Sequence, residues 1–212
     1  MKVTKEKAAE NRSNLIRTAS RLFREHGIDG VGVAEICKQA GLTHGALYAQ
    51  FPTKQALAAE ALAYGQELGF EHLMSLGDGG GPALDDFLDY YLSTSTRDDP
   101  AHMCAMAASA SEIGRQDSSI SAPFAQGFEK IAEAIERTQG PGTIEASTRE
   151  RALSITAALI GAVAVARGVH KADPALSKEV LQAMKTVLAA LGANGDDAVK
   201  RKKRRKPASG TA

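Results

Sequence analysis

The chain has 212 residues, 43% hydrophobic but only 5% aromatic and without Trp, so it can bury one large or two small cores resting on Leu, Ile, Val, Ala and Met. Two cysteines make no disulfide framework, and the polar start MKVTKEKAAENR has no signal-peptide pattern. The longest apolar run, Ala157–Ala166, is far short of the roughly 20 residues of a membrane span, so the expectation is a cytoplasmic protein with no membrane partner.

The net charge of +1 conceals three blocks: +4 over residues 1–55, −10 over 56–199 and +7 over the run KRKKRRK at 200–206. A basic head on an acidic body suits nucleic-acid binding by the head alone. Lys2, Lys5 and Lys7 are expected ahead of the first helix, either as a loose arm on the phosphate backbone or as a solvated tail. That helix carries an apolar stripe at Leu15, Ile16, Ala19, Leu22 and Phe23, and Gly27 is its stop. A second, shorter stripe of Val33, Ile36, Cys37 and Ala40 recurs at helical spacing and ends at Gly41. Thr43 is a good N-cap for a third helix whose inward residues, Leu47 and Phe51, lie four apart.

Helix, short turn containing Gly, helix is the helix-turn-helix pattern. Laid out at about 100° per residue, the last helix sets Gly45 and Ala49 opposite Leu47 and Phe51, with Ala46 beside them and Tyr48 and Gln50 on the flanks. A face of such small residues lets a helix settle deep in a groove. Thr43 and His44 would offer hydroxyl and imidazole groups to base edges or phosphates, and Tyr48 its hydroxyl to a phosphate. Thr53 caps the next helix and puts Lys54 in its first turn, where a cation opposes the helix dipole. A phosphate contact would explain that placement; plain solvation is the alternative.

That next helix is expected from Gln55 to about Gly77, running from the head into the body as a lever. GDGGGP at 77–82 breaks the chain, and a helix is expected over Pro82–Thr96. A turn at Asp98–Pro100 leads to a helix over Ala101–Gly114, and a further helix runs from Ser118 to Thr138 before the GPG break at 140–142. Residues 152–166 are apolar or small nearly all round, which implies burial on more than one side. The final helix starts at Asp173-Pro174 and carries Leu176, Val180, Leu181, Met184, Val187, Leu188 and Leu191, more apolar surface than a monomer readily covers. No useful strand-like alternation appears, so the chain is read as all-α. Residues 192–212 lack periodicity and are expected to be a disordered basic tail that draws any nucleic acid nonspecifically, or a solvated tail without a role.

Residues 13–57, SNLIRTASRLFREHGIDGVGVAEICKQAGLTHGALYAQFPTKQAL, resemble the N-terminal domain of the TetR family of one-component repressors. The matching features are the leading amphipathic helix ending in Gly, the pattern AEI…A…GLT.GALY..F..K..L, and the Tyr48–Phe51–Lys54 spacing. Gly32 departs from the pattern, standing where the family often has a capping Thr that touches a phosphate, so that contact is not assigned.

The resemblance implies a three-helix DNA-binding head over residues 1–53 and a helical ligand-binding and dimerisation body over 54–191. It also implies a homodimer joined through the last two helices as a four-helix bundle. Paired heads would read a pseudo-palindromic double-stranded operator with half-sites about 34–36 Å apart. The body would hold a small-molecule effector, for which Met74, Phe87, Tyr91, Met103, Met106, Phe124 and Phe128 are candidates by position and chemistry. The body's acidity leans slightly toward a cationic one. HMCAMAASASEIG is similar to a "GC…A…E" segment in a subset of the family, some members of which sense electrophiles or oxidants through the cysteine. Cys104 is therefore an alternative sensor, with His102 beside it, while an inert buried thiol is the opposing reading. Cys37 belongs to the packing stripe.

A DNA-binding architectural protein without small-molecule input is the rival function. Five scattered histidines form no metal-ligand spacing. No P-loop, dinucleotide-type glycine pattern or nucleophile elbow is present, so neither an enzyme nor a cofactor is expected.

Overall fold

The computed structural model describes residues 4–77, 81–99, 104–139 and 146–192. They form ten helices and no strand: α1 (Lys5–His26), α2 (Val33–Ala40), α3 (His44–Tyr48), α4 (Lys54–Met74), α5 (Leu84–Tyr91), α6 (Thr94–Asp98), α7 (Ala105–Ile113), α8 (Ser118–Arg137), α9 (Thr148–His170) and α10 (Pro174–Gly192). Lys2, His102, Met103, the GPG segment and the basic tail lie outside the described residues.

Side-chain caps explain where the head's helices start. Thr4 Oγ1 accepts from Lys7 N at 3.2 Å and opens α1, which corrects the reading of Lys5 and Lys7 as a preceding arm: both are in the first turn, and Lys7 pairs with Glu10 at 2.9 Å. Gly32 caps α2 with no side-chain hydrogen bond. At the end of α2, Gly41 takes the left-handed conformation (φ 65°) and Leu42 N donates back to Cys37 O at 2.9 Å. This six-to-one bond needs a left-handed residue just past the helix, which is why the turn of the helix-turn-helix falls on a glycine. Thr43 Oγ1 accepts from Ala46 N at 3.2 Å and Thr53 Oγ1 from Ala56 N at 3.0 Å, so both expected N-caps are in place.

In the body, α4 ends at Met74 rather than near Gly77. The single helix expected over Pro82–Thr96 is two, because Ser93 Oγ accepts Thr96 N at 3.1 Å and starts α6, and Thr96 Oγ1 donates to Tyr90 O at 2.7 Å. Side-chain hydroxyls thus take over backbone groups that a continuous helix would have paired. The expected Ala101–Gly114 helix begins at Ala105, capped by Cys104. Ser147 and Glu150 form a capping box at the start of α9. By length and composition α9 could cross a membrane. In the fold its Ile155, Leu159, Val163 and Ala166 pack into the body core against α5, α7, α8 and α10.

Buried residues gather in two clusters. One belongs to the body and joins Leu73, Phe87, Leu88, Tyr91, Met106, Ile131 and Ile135 to α9 and α10. The other holds the three head helices around Leu15, Phe23, Ile36, Leu47 and Phe51. It also takes in Leu57, Ala58, Ala61 and Leu62 of α4, Ala105 and Ile113 of α7, and Ile120 of α8, so the packing that makes the head continues into the body.

Phe51 is 1% exposed and Tyr48 is 53% exposed. Truncating a fully buried aromatic loses its transfer energy and leaves a cavity, so Phe51→Ala is expected to destabilise the fold by about 3–5 kcal/mol. Tyr48→Ala should stay within about 0.5 kcal/mol. Urea unfolding followed by circular dichroism measures both.

Candidate nucleic-acid interface and ligand cleft

The outer face of the head is assembled from α3 and its caps. Thr43, His44, Gly45, Tyr48 and Ala49 are exposed and Ala46 and Gln50 half-buried, while Leu47 and Phe51 face inward with no more than 1% exposure. The residues singled out for DNA contact therefore lie together on one surface, apart from Lys54. Asn14 Nδ2 donates to Ala40 O at 2.8 Å and fixes α1 against the end of α2. Arg12 Nη2 donates to both carboxylate oxygens of Glu60 at 2.6 Å, and the guanidinium lies 4.8 Å from the Phe51 ring centroid. Both partners are about two-fifths exposed, so the pair is worth at most about 1 kcal/mol. It links α1 to α4 beside the head's apolar cluster.

Lys54 has a role that the sequence did not suggest. Its Nζ donates to Ile28 O at 2.6 Å, across the turn that joins α1 to α2. That bond accounts for a cation in the first turn of α4 without a phosphate, although an ammonium has two further donors. Ile28 N in turn donates to Glu112 Oε2 on α7 at 2.9 Å, and Gln116 Nε2 reaches both carboxylate oxygens of Asp29 at 3.1 Å. The α1–α2 turn is thus gripped by α4 on one side and by the end of α7 on the other.

The body contains a half-open cleft of about 520 Å³, walled by α4, the end of α5, the start of α7 and α8, and reached by α1 through Arg24. Its volume is in the range of small-molecule sites. Tyr91, Cys104 and Met106 line it, as do Phe70, Tyr90 and Ile131. Met74, Phe87, Phe124 and Phe128 pack in or against the body core instead and do not line the cleft. Phe87 is fully buried. Sequence reasoning missed the polar lining of Arg24, Gln66, His72 and Lys130. Arg24 was in principle findable, because it stands one helical turn past Ser20, at the edge of the apolar stripe of α1.

Lys130 Nζ holds both oxygens of Glu67 at 2.7 and 2.6 Å and lies 4.3 Å from the Phe70 ring centroid. His72 stacks tilted on Tyr90, centroids 5.0 Å apart. Burial pushes the Tyr91 hydroxyl well above its ordinary pKa and lowers that of Arg24, whose charge is poorly solvated despite the neighbouring Glu25.

Cys104 caps α7, its Sγ accepting from Ala107 N at 3.5 Å and lying 3.8 Å from Tyr91 Oη. Burial raises its thiol pKa, and this outweighs the opposing pull of the Ala107 N–H, Tyr91 and Arg167. Among the described residues no group of three or more His, Cys, Asp and Glu is placed to hold a metal ion.

Comparison with known proteins bears on both sites. Residues 15–61 match the family model described as bacterial regulatory proteins, tetR family. Over 57 residues the chain is 40% identical to the HTH-type transcriptional regulator AcrR of Shigella flexneri, a match covering 27% of this chain and spanning only 26% of that regulator. A longer match of 157 residues, 29% identical, joins 68% of this chain to 74% of the HTH-type transcriptional regulator TtgR of Pseudomonas putida. The crystal structure of E. coli NemR in its reduced form superposes with a TM-score of 0.72 at 19% identity, covering 87% of this chain and 98% of NemR, a likeness of fold.

Because the folded Cys104 thiol titrates above the ordinary thiol range, little of it is thiolate at neutral pH. Alkylation of native protein by iodoacetamide, followed at Cys104 by mass spectrometry, should be slower than for free cysteine at pH 7.5. Its rate should keep rising with pH beyond the midpoint of the free thiol.

Proposed function

Since the chain belongs to the TetR family of bacterial regulatory proteins, we propose that it is a ligand-responsive transcriptional repressor that binds a pseudo-palindromic operator as a homodimer. The observation that carries this reading is the cleft of about 520 Å³ in a body physically continuous with the helix-turn-helix head. A purely architectural DNA-binding protein has no use for such a site.

The DNA contacts follow from the exposed face of α3. Thr43 and His44 approach base edges or phosphates, Gly45 and Ala46 allow the helix close to the groove floor, and Tyr48 donates to a phosphate. Lys54 supports this face chiefly from behind, through Ile28 O, with its remaining donors available to the backbone.

Pairing of two copies is supported by the outer side of α9 and α10. Val165, Leu176 and Val187 are 54%, 42% and 60% exposed, and Ala157, Gly161, Gly168, Ala183 and Ala190 are exposed around them. Small residues with an occasional branched one let helices approach closely, and a two-fold axis through this face makes a four-helix bundle. Two heads then meet successive major grooves about 34–36 Å apart.

Effector binding shifts the dimer between a DNA-competent and an incompetent arrangement, by no more than its differential affinity for the two. The route is short. α7 and its N-cap contribute Cys104, Ala105 and Met106 to the cleft at one end, and α7 contributes Glu112 to the α1–α2 turn at the other. The raised pKa of Cys104 favours reversible occupancy of the cleft over electrophile sensing by that thiol.

Anisotropy of a labelled fragment from the chain's own promoter tests the assignment. Losing a hydrogen bond to a charged phosphate costs about 1.5–3 kcal/mol, so Tyr48→Ala should weaken operator binding by tenfold or more while sedimentation still finds a dimer. Val187→Asp should yield monomers and abolish specific binding. Affinity that is equal for the promoter and for random DNA at the same salt would reject the repressor reading.

A further inference from the structure

We propose that the cleft takes a small organic anion, a carboxylate on an apolar or aromatic body, and that its anchor is Arg24, a residue of the DNA-binding head. This inference rests on the effector reading above and adds the ligand's charge class.

The charges within the cleft do not balance. Its acid, Glu67, is already neutralised by the bidentate contact with Lys130. Arg24 has no ion pair among the described residues: Nη1 donates to Ser20 Oγ at 3.0 Å, and Nε is buried without a partner. The neighbouring Glu25 is held instead by Arg21 at 3.0 Å and by His26 at 3.6 Å. A second buried donor without a partner, Gln66 Nε2, belongs to the same wall. Arg24 reaches this wall because α1 lies against Gly65, the neighbour of Gln66 on α4, where an added Cβ would stand 2.6 Å from Ser20 Oγ and 2.9 Å from Arg24 Nη1.

A poorly solvated guanidinium with unused donors is costly until an acceptor of opposite charge arrives. A carboxylate fits that fork in two parallel hydrogen bonds, and the adjacent amide supplies another. Beyond this polar corner the lining is Phe70, Tyr90, Tyr91, Met106 and Ile131, which suits an apolar or aromatic body. The acidity of the body therefore misleads about the cleft: a cation would meet Arg24 and a carboxylate already engaged. Because Arg24 is in the last turn of α1, three residues before the gripped α1–α2 turn, the ligand's charge would touch the head itself.

Three probes of one shape make the test: 4-phenylbutanoate, 4-phenylbutanamide and protonated 4-phenylbutylamine, titrated calorimetrically into the full-length dimer at fixed ionic strength and pH 7.5. The acid is expected to bind at least tenfold more tightly than the amide, and the amine more weakly than either. Arg24→Gln should lower affinity for the acid at least tenfold and leave the amide within twofold, and Arg24→Lys should restore part of the preference. Equal or tighter binding of the amide or the amine would overturn the anion assignment while leaving the cleft a ligand site. The same holds if the acid keeps its preference in Arg24→Gln. Failure of all three probes to bind at millimolar concentration would also overturn it, and would leave the repressor reading to be judged by its promoter test.

Discussion

The structure depends on how firmly the turn after α1 is held. Ile28 offers one N–H and one carbonyl, and both are taken by other elements: the N–H by Glu112 of α7 and the carbonyl by Lys54 of α4. Ile28 is itself 3% exposed and sits in the same apolar cluster as Leu57, Ile113 and Ile120. A turn with its backbone groups bonded in two directions and its side chain in the core cannot shift alone. Either the head, α4 and α7 move together, or the contacts break.

That constraint turns a head and a body into one mechanical object. The first half of α4 is core of the head, its second half walls the cleft, and α7 spans from the cleft to the turn. A ligand placed in the cleft would touch both helices and meet Arg24 of α1. Under the proposed function, nothing long-range is needed for a signal to reach α3, because α4 and α7 bound the cleft and also pack into the cluster that holds α3. The terminal pair α9 and α10 plays a different part: its inner face is the body core, and its outer face leaves Val165, Leu176 and Val187 exposed, the surface on which the proposed dimer rests.

Much of this was legible in the sequence for local reasons. Gly41, Thr43 and Thr53 are backbone punctuation whose chemistry acts within four residues, and the stripes Leu15–Phe23 and Val33–Ala40 need only helical periodicity. The small face of α3 followed from the same geometry. The break at Ser93 was missed because it depends on which of several hydroxyls takes a backbone group, and Ser93, Ser95 and Thr96 all compete there. The cleft was legible only in part, through Tyr91, Cys104 and Met106. Its aromatic candidates Phe87, Phe124 and Phe128 look no different in sequence from residues that line a hole, and tertiary packing put them in or against the core. Lys54 was obscured by the opposite problem: a basic residue on a head that reads as DNA-binding suggests a phosphate contact first, and Arg24 was not singled out at all. Here Arg24 lines a cleft walled mostly by α4, α7 and α8, and Lys54 bonds Ile28 O, 26 residues back in sequence.

If head and cleft share one cooperative core, hydrogen exchange under increasing urea will reveal it, because it gives each amide an opening free energy and a denaturant slope. Amides of α1 around Leu15–Phe23 and those of α7 around Ala108–Ile113 are expected to open with the same free energy and the same slope. If α1–α3 exchange through a smaller opening while α7 and α8 stay protected, head and body are separate folding units and the coupling described here is contradicted.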